Sequence, residues 1–265
     1  MADRQNFGAK IENAVPAPWP HSLARRVAAA VVDDIEDKIH DDLFTSLKAA
    51  VLDPDPKVCR AAIRQSLADG TRPEDLADFY IPAIARDLGD LWCVDQLGFA
   101  SVTIGVSRLQ AMMRELDPNW SSNKSVATVE ASILLVVLQD VYHTLGAIVL
   151  SSQLRRKGYS VKLLLGGKAQ DVAKRIINTK YDCVFMSCSS GESLESVRRV
   201  VDAVKSTTNN PPPVVVGGSI LEVETVTDIT TLTGADYATR IPAEALRFCG
   251  LQQFKQHSAQ AKNGT

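Results

Sequence analysis

The second half of the chain alternates short branched apolar runs with helix-length segments, and nothing else in the sequence limits the fold as strongly. Residues 133–138 (Ile-Leu-Leu-Val-Val-Leu) are apolar without interruption, as a strand covered on both faces of a parallel sheet requires. A helix over 144–157 follows, closed by Gly158. The pattern then repeats as strand 161–165 with helix 169–178, strand 183–187 with helix 194–206, and strand 214–216 with a helix inside 223–232. A short strand near Tyr237 and a helix from 243 to about 257 complete the series. Five βα units with short loops predict an open, doubly wound, all-parallel sheet of five strands. Such sheets bind ligands beyond the carboxyl ends of their strands, so the loops after the first, third and fourth strands are where function is sought.

The first half has a different texture. Residues 1–20 end in Pro16, Pro18 and Pro20 around Trp19 and read as a flexible leader. From 21 to 117 the periodicity is helical. Ile35, Ile39, Leu43 and Leu47 recur every four residues, while Asp33, Asp34, Glu36, Asp37, Asp41 and Asp42 fill the remaining positions as a solvated face. Asp55 before Pro56 reads as an N-cap with a first-turn proline, and Gly70 as a stop. Thr71 with Glu74 reads as a capping box that opens a helix carrying Leu76, Phe79, Tyr80, Ile84, Leu88 and Leu91. Pro82 is expected to kink or split it. A last helix from near Phe99 to Leu116 completes a small bundle. Residues 118–130 follow as a linker, residues 131–257 as the sheet domain, and 258–265 as a tail.

Charge and cysteine usage narrow the function classes. The formal charge is −2 and the isoelectric point about 6.1, which argues against a direct electrostatic grip on DNA. Residues 1–15 are polar and lack the apolar core of a signal peptide, and the run 133–138 is too short to span a bilayer. Cys59, Cys93, Cys183, Cys188 and Cys249 form no CxxC pair, and an odd count without a framework fits a reducing cytoplasm.

Three loops carry the candidate site. After the first strand comes Gln-Asp-Val-Tyr-His-Thr-Leu-Gly, residues 139–146. His143 stands at a helix start, where the partial positive charge disfavours imidazolium, and a neutral imidazole is a competent metal ligand. Thr144 and Leu145 follow, and Gly146 leaves room for a flat group against the helix. On the residues alone, a surface histidine bonded to a loop carbonyl remains an alternative. After the third strand, Ser187, Ser189 and Ser190 offer small hydroxyls, and after the fourth, Gly217 and Gly218 permit close approach of a ring or form a tight turn. Tyr237, at the fifth strand, closes the set.

Taken together in this order, the loops resemble the cobalamin-binding domain, whose motif is DxHxxG, then a serine loop, then GG. His143 to Ser187 spans 187 − 143 = 44 positions and Ser187 to Gly217 spans 217 − 187 = 30, both close to the family spacing. The resemblance implies a helical bundle followed by a flavodoxin-like sheet of the cobalamin-binding fold. It implies cobalamin held base-off, with His143 as lower cobalt ligand and the serine and glycine loops around the displaced nucleotide tail. It extends into the bundle, where Gly89-Asp90-Leu91-Trp92 resembles the GxxW segment that covers the upper cofactor face. Trp92 is then expected over the corrin, a buried core aromatic being the other reading. Two departures stand out. Val141 occupies the place of the usual aspartate two residues before the histidine, and Val102 and Thr103 stand where some light-responsive caps carry Glu-His.

The subgroup with a VYHTLG-like loop and a plain helical cap is the AerR/PpaA type. That resemblance implies a non-enzymatic, cytoplasmic, light-responsive antirepressor of photosynthesis genes. It implies either adenosylcobalamin or hydroxocobalamin as cofactor, and action on DNA only indirectly, through a DNA-binding repressor of the CrtJ/PpsR type. Two other readings are kept: a corrinoid methyl carrier of a methyltransferase system, and a haem sensor using His143.

Overall fold

A computed structural model describes residues 39–116, 131–138 and 144–251. The leader, the linker, the tail and the segment 139–143, which includes His143, lie outside the described residues. The chain divides into two units, 1–37 and 38–265, and the second holds both the bundle and the sheet.

The bundle opens with α1 (Asp41–Leu52) and α2 (Pro56–Ala68). Asp55 caps α2 as expected, its carboxylate accepting from the Lys57 N–H at 2.9 Å. The capping box expected at Thr71 and Glu74 does not form. Gly70, at φ 94°, ends α2, and the N–H of Thr71 bonds Ser66 O at 3.0 Å while that of Gly70 bonds Leu67 O at 3.2 Å. Thr71 is thus used up in a Schellman closure of α2. The next helix, α3 (Pro73–Asp75), is entered from Arg72, which pairs with Asp75. Five residues of π-helix (Leu76–Tyr80) join it to α4 (Ile81–Cys93). Pro82 accounts for that wide turn, because it has no N–H for the carbonyl four residues back and its ring needs space there. The last bundle helix, α5 (Phe99–Leu116), crosses closely at Gly105, where a Cβ would stand 2.7 Å from Leu88 Cδ1.

The sheet follows as β1 (Ser132–Leu138), α6 (Leu145–Arg156), β2 (Ser160–Gly167), α7 (Ala169–Asn178), β3 (Cys183–Ser187) and α8 (Leu194–Lys205). It continues through β4 (Val214–Gly217), a 3₁₀ turn (Ser219–Glu222), α9 (Val226–Thr233), β5 (Tyr237–Ala238) and α10 (Pro242–Phe248). All pairings are parallel, in the order β2-β1-β3-β4-β5, the flavodoxin-like arrangement.

Alternation along β1 explains its unbroken apolar run. Leu134, Val136 and Leu138 face one core with Val184, Val216 and residues of α7, α8 and α9. Ile133, Leu135 and Val137 face another with Phe185 and residues of α6 and α10. Helix α6 is apolar on two sides. Ala147 and Leu154 pack on the sheet, while Leu145 and Val149 enter the bundle core beside Leu88 and Met113. Arg156 at its far end pairs with Asp78 of the π-turn. Sheet and bundle therefore share a helix, and that helix starts at the loop carrying His143.

Candidate functional site

The chain leaves β1 toward β2 on one side and enters β3 on the other, so the order reverses between β1 and β3. A crevice opens at such a switch point, beyond the carboxyl ends of the strands. The serine loop after β3 borders it, and the chain leaves β1 toward it at Leu138.

Thr144 is the first described residue after His143. Its hydroxyl accepts from Gln110 Nε2 at 3.0 Å, so a bundle helix fixes the point where the histidine segment joins α6. Leu145 is buried in the bundle core. Gly146 is exposed, and a Cβ built there would meet nothing within 4 Å. The first turn of α6 thus presents bare backbone to open space, which a flat macrocycle could occupy.

The serine loop is held by its neighbours. Ser187 pairs in register with Gly217, and the Cys188 N–H bonds Gly217 O at 2.8 Å. The Ser190 N–H bonds Ser219 Oγ at 3.0 Å, and the Ser189 N–H bonds Glu192 Oε2 at 2.5 Å. The other Glu192 oxygen is buried without a partner. Burial raises the Glu192 carboxyl above its ordinary range, against the lowering effect of the Ser189 amide and the Cys188 thiol. Burial, with Glu192 close by, also pushes the Cys188 thiol well up.

The two glycines answer to the protein itself. A Cβ on Gly218, at φ 104°, would stand 2.2 Å from Cys188 O, and one on Gly217 would stand 2.8 Å from Thr239 O. Their small size lets β4 and the 3₁₀ turn close against the serine loop and the end of β5. Tyr237 sits elsewhere. It is level with Val215 in the sheet and stacks on Phe248, with ring centroids 4.7 Å apart and planes 7° apart. The structure places it with the core under α10 and brings Thr239 to the strand ends instead.

Trp92 lies in the last turn of α4 and is 46% exposed. Its ring meets that of Phe99, itself 69% exposed, at 6.2 Å and a 58° tilt. Helix α5 runs beside α6 in the same direction. Gln110 meets Thr144, and Met113 and Arg114 line a small pocket with Ile148 and Ser151 further along α6. Phe99 lies 110 − 99 = 11 residues upstream of Gln110, which at the α-helical rise is about 16 Å. Phe99 therefore lies well upstream of the point where α5 meets the start of α6, and the Trp92 and Phe99 rings are left exposed. The bundle thus offers exposed aromatic rings and α6 a side-chain-free helix start, features that a large flat cofactor can use. Phe99, Gln110, Glu192 and Ser219 were missed from sequence. Glu192 gave one signal, as the lone acidic residue in a serine-rich loop.

The family model described as the B12 binding domain matches residues 131–247, from the edge of β1 nearly to the end of α10. An uncharacterized 20.5 kDa protein in the bchF-crtJ intergenic region of Rhodobacter capsulatus is 32% identical over 166 residues, which are 63% of this chain and 85% of that protein. The Methanosarcina barkeri monomethylamine corrinoid protein shares the fold, with a TM-score of 0.64 at 15% identity, over 79% of this chain and 98% of that one.

Proposed function

The chain belongs to the AerR/PpaA-type family of cobalamin-binding proteins, and on that premise we propose that it is a light-responsive regulator acting through a repressor partner. What supports the cofactor reading is the bare helix start at Gly146 together with the exposed Trp92 and Phe99 rings of the bundle. His143, one residue before the Gln110-anchored Thr144, is the proposed lower cobalt ligand. Thr144, Leu145 and Gly146 would form the floor, Ser187, Ser189 and Ser190 would border the nucleotide tail, and Trp92 would cover the upper face.

When bound, cobalamin supplies a cobalt whose bond to an upper adenosyl carbon is broken by light. The chain's own residues supply the readout. Trp92 and Phe99 belong to the bundle, and Gly146 to the helix the bundle shares with the sheet. Trp92 and Gly146 would both touch the bound cofactor, so a change in it would be felt by the bundle and by the shared helix, and a ligand that binds two arrangements unequally shifts their balance. The gene neighbourhood in the relative's name supports a CrtJ/PpsR-type repressor as partner. Among the described residues no helix is long and apolar enough to cross a membrane.

The test is an absorption spectrum of the purified protein in the dark and after illumination, followed by calorimetry of each form with such a repressor. Corrin bands that change with light, and repressor affinities that differ about tenfold, a coupling of about 1.4 kcal/mol, are expected. Haem bands would replace cobalamin with the haem reading. Equal affinities in the dark, lit and cofactor-free forms would refute the switch and favour a methyl carrier.

A further inference from the structure

Helix α6 runs back from the crevice along the sheet, and a cavity of about 130 Å³ opens beside its middle and last turns. Three elements wall it: α5 with Met113 and Arg114, α6 with Ile148, Ser151 and Arg155, and the edge strand β2 with Leu163. Met113 and Ser151 are buried, Ile148 and Leu163 partly so, and Arg114 and Arg155 are exposed. The lining is therefore graded, from a buried floor along an apolar wall to two guanidinium side chains at the rim. Two features of it point to a ligand. Ser151 is only 2% exposed, and its hydroxyl has no hydrogen-bond partner. Burial removes such a group from water, so a native chain rarely leaves it unpaired without a purpose. Among the described residues no ion pair neutralises Arg114 or Arg155. Arg156 next along the helix differs: it pairs with Asp78 and donates to Ser152 Oγ at 2.8 Å. Arg155 is steadied by one bond, Nη2 donating to Val161 O at 2.9 Å, which leaves the rest of its fork for another acceptor.

We propose that this cavity is a second binding site, for a small organic acid. Its carboxylate meets Arg114 and Arg155, its short hydrocarbon body lies against Met113, Ile148 and Leu163, and a further oxygen accepts from the Ser151 hydroxyl. Arginine forks match carboxylates in shape and charge, and the apolar wall disfavours a small inorganic anion that would lose its water there. The cavity holds about ten times the space one water needs, so the ligand has up to about ten non-hydrogen atoms. Ser151 and Arg155 lie 151 − 146 = 5 and 155 − 146 = 9 positions beyond Gly146, about 8 and 14 Å along the helix. The site is thus set back from the crevice and does not rest on the cofactor reading. A ligand in it touches the bundle, the shared helix and the sheet together, so it binds the folded arrangement and raises Tm.

The test is calorimetry and thermal unfolding of the full chain, in carboxylate-free buffer, with butanoate, 4-hydroxybutanoate and the neutral 4-hydroxybutanamide. Both acids should bind saturably, with Kd of about 1 mM or below, and raise Tm. The hydroxy acid should bind about fivefold tighter than butanoate, the worth of one hydrogen bond. The amide should bind at least about tenfold weaker than the hydroxy acid, having no charge for the guanidinium groups. Arg114→Gln should weaken both acids about tenfold. Ser151→Ala should leave the unliganded Tm unchanged or higher and erase the preference for the hydroxy acid. Added hydroxocobalamin should not displace either acid. Absence of saturable binding would overturn the proposal, as would amide binding equal to that of the acid. So would affinities unmoved by both substitutions, displacement by hydroxocobalamin, or inorganic phosphate binding as tightly as the acids.

Discussion

Glycine positions separate what the fold needs from what a ligand needs. Gly218 combines a left-handed backbone with a 2.2 Å approach to Cys188 O, so Gly218→Val should destabilise the cofactor-free protein by several kcal/mol, read as a fall in Tm. An unchanged Tm would contradict the geometry, and the variant reports on the chain's own packing before it reports on any tail pocket. Gly146 should behave the opposite way. With open space around it inside the first turn of α6, Gly146→Ala should leave the cofactor-free Tm unchanged or raise it by up to about 1 kcal/mol of stability. Gly146→Leu should do the same to Tm while weakening cobalamin binding at least tenfold. Equal binding by Gly146→Leu would remove the helix start from the site. Glu192 adds a pH signature. Its carboxyl is raised on folding, so the folded protein binds this proton more tightly than the unfolded chain does. The associated stability is present at pH below the unfolded value and is lost as pH rises through the folded one. Glu192→Gln should flatten that slope in a series of Tm measurements between about pH 4 and pH 8, near and above the ordinary carboxyl range. Parallel profiles for the two proteins would show that Glu192 does not titrate with folding.

The elements written in strong local chemistry were readable from the sequence. The bounds expected for α5, α7 and β3 are those observed, because each is fenced by turn residues and carries one unambiguous period. The all-parallel sheet followed from alternation, and its flavodoxin-like order from the family resemblance. Where sequence reading failed, a tertiary or neighbouring use had claimed the residue. Thr71 was taken by the closure of α2. The 3₁₀ turn at Ser219 has no periodicity to announce it, and its hydroxyl holds the serine loop from 29 positions away. Phe99 could not be weighed as a site residue, since exposure is a property of the packed bundle. The π-turn yields a prediction at this scale. Asp78 meets Arg156 across the bundle and α6, the two side chains being 21% and 14% exposed. Arg156→Ala should cost roughly 1.5–3 kcal/mol, as loss of a charged hydrogen bond does. A cost below about 0.5 kcal/mol, the range of an exposed pair, would show the contact to be incidental.

At the scale of the molecule, α6 is the structural hinge of the account. Its inner face belongs to the sheet and its outer face to the bundle, and its first turn borders the crevice. On the proposed reading, a cofactor seated there would touch both halves, and a small chemical change in it could reach a partner-binding surface. The same arrangement explains why only the combination of loops pointed to cobalamin. The serines and the glycines come from separate βα units that meet at the carboxyl edge of the folded sheet, and His143 belongs in sequence to a third. The central claim is that His143 holds the cobalt from below. It is tested most directly by loading wild type and His143→Ala with hydroxocobalamin, desalting both, and recording bound cobalamin and its absorption spectrum. The account predicts stoichiometric retention with a histidine-ligated spectrum in the wild type, and loss of retention or a shift to the base-off spectrum in the variant. Equal retention with an identical spectrum would contradict it.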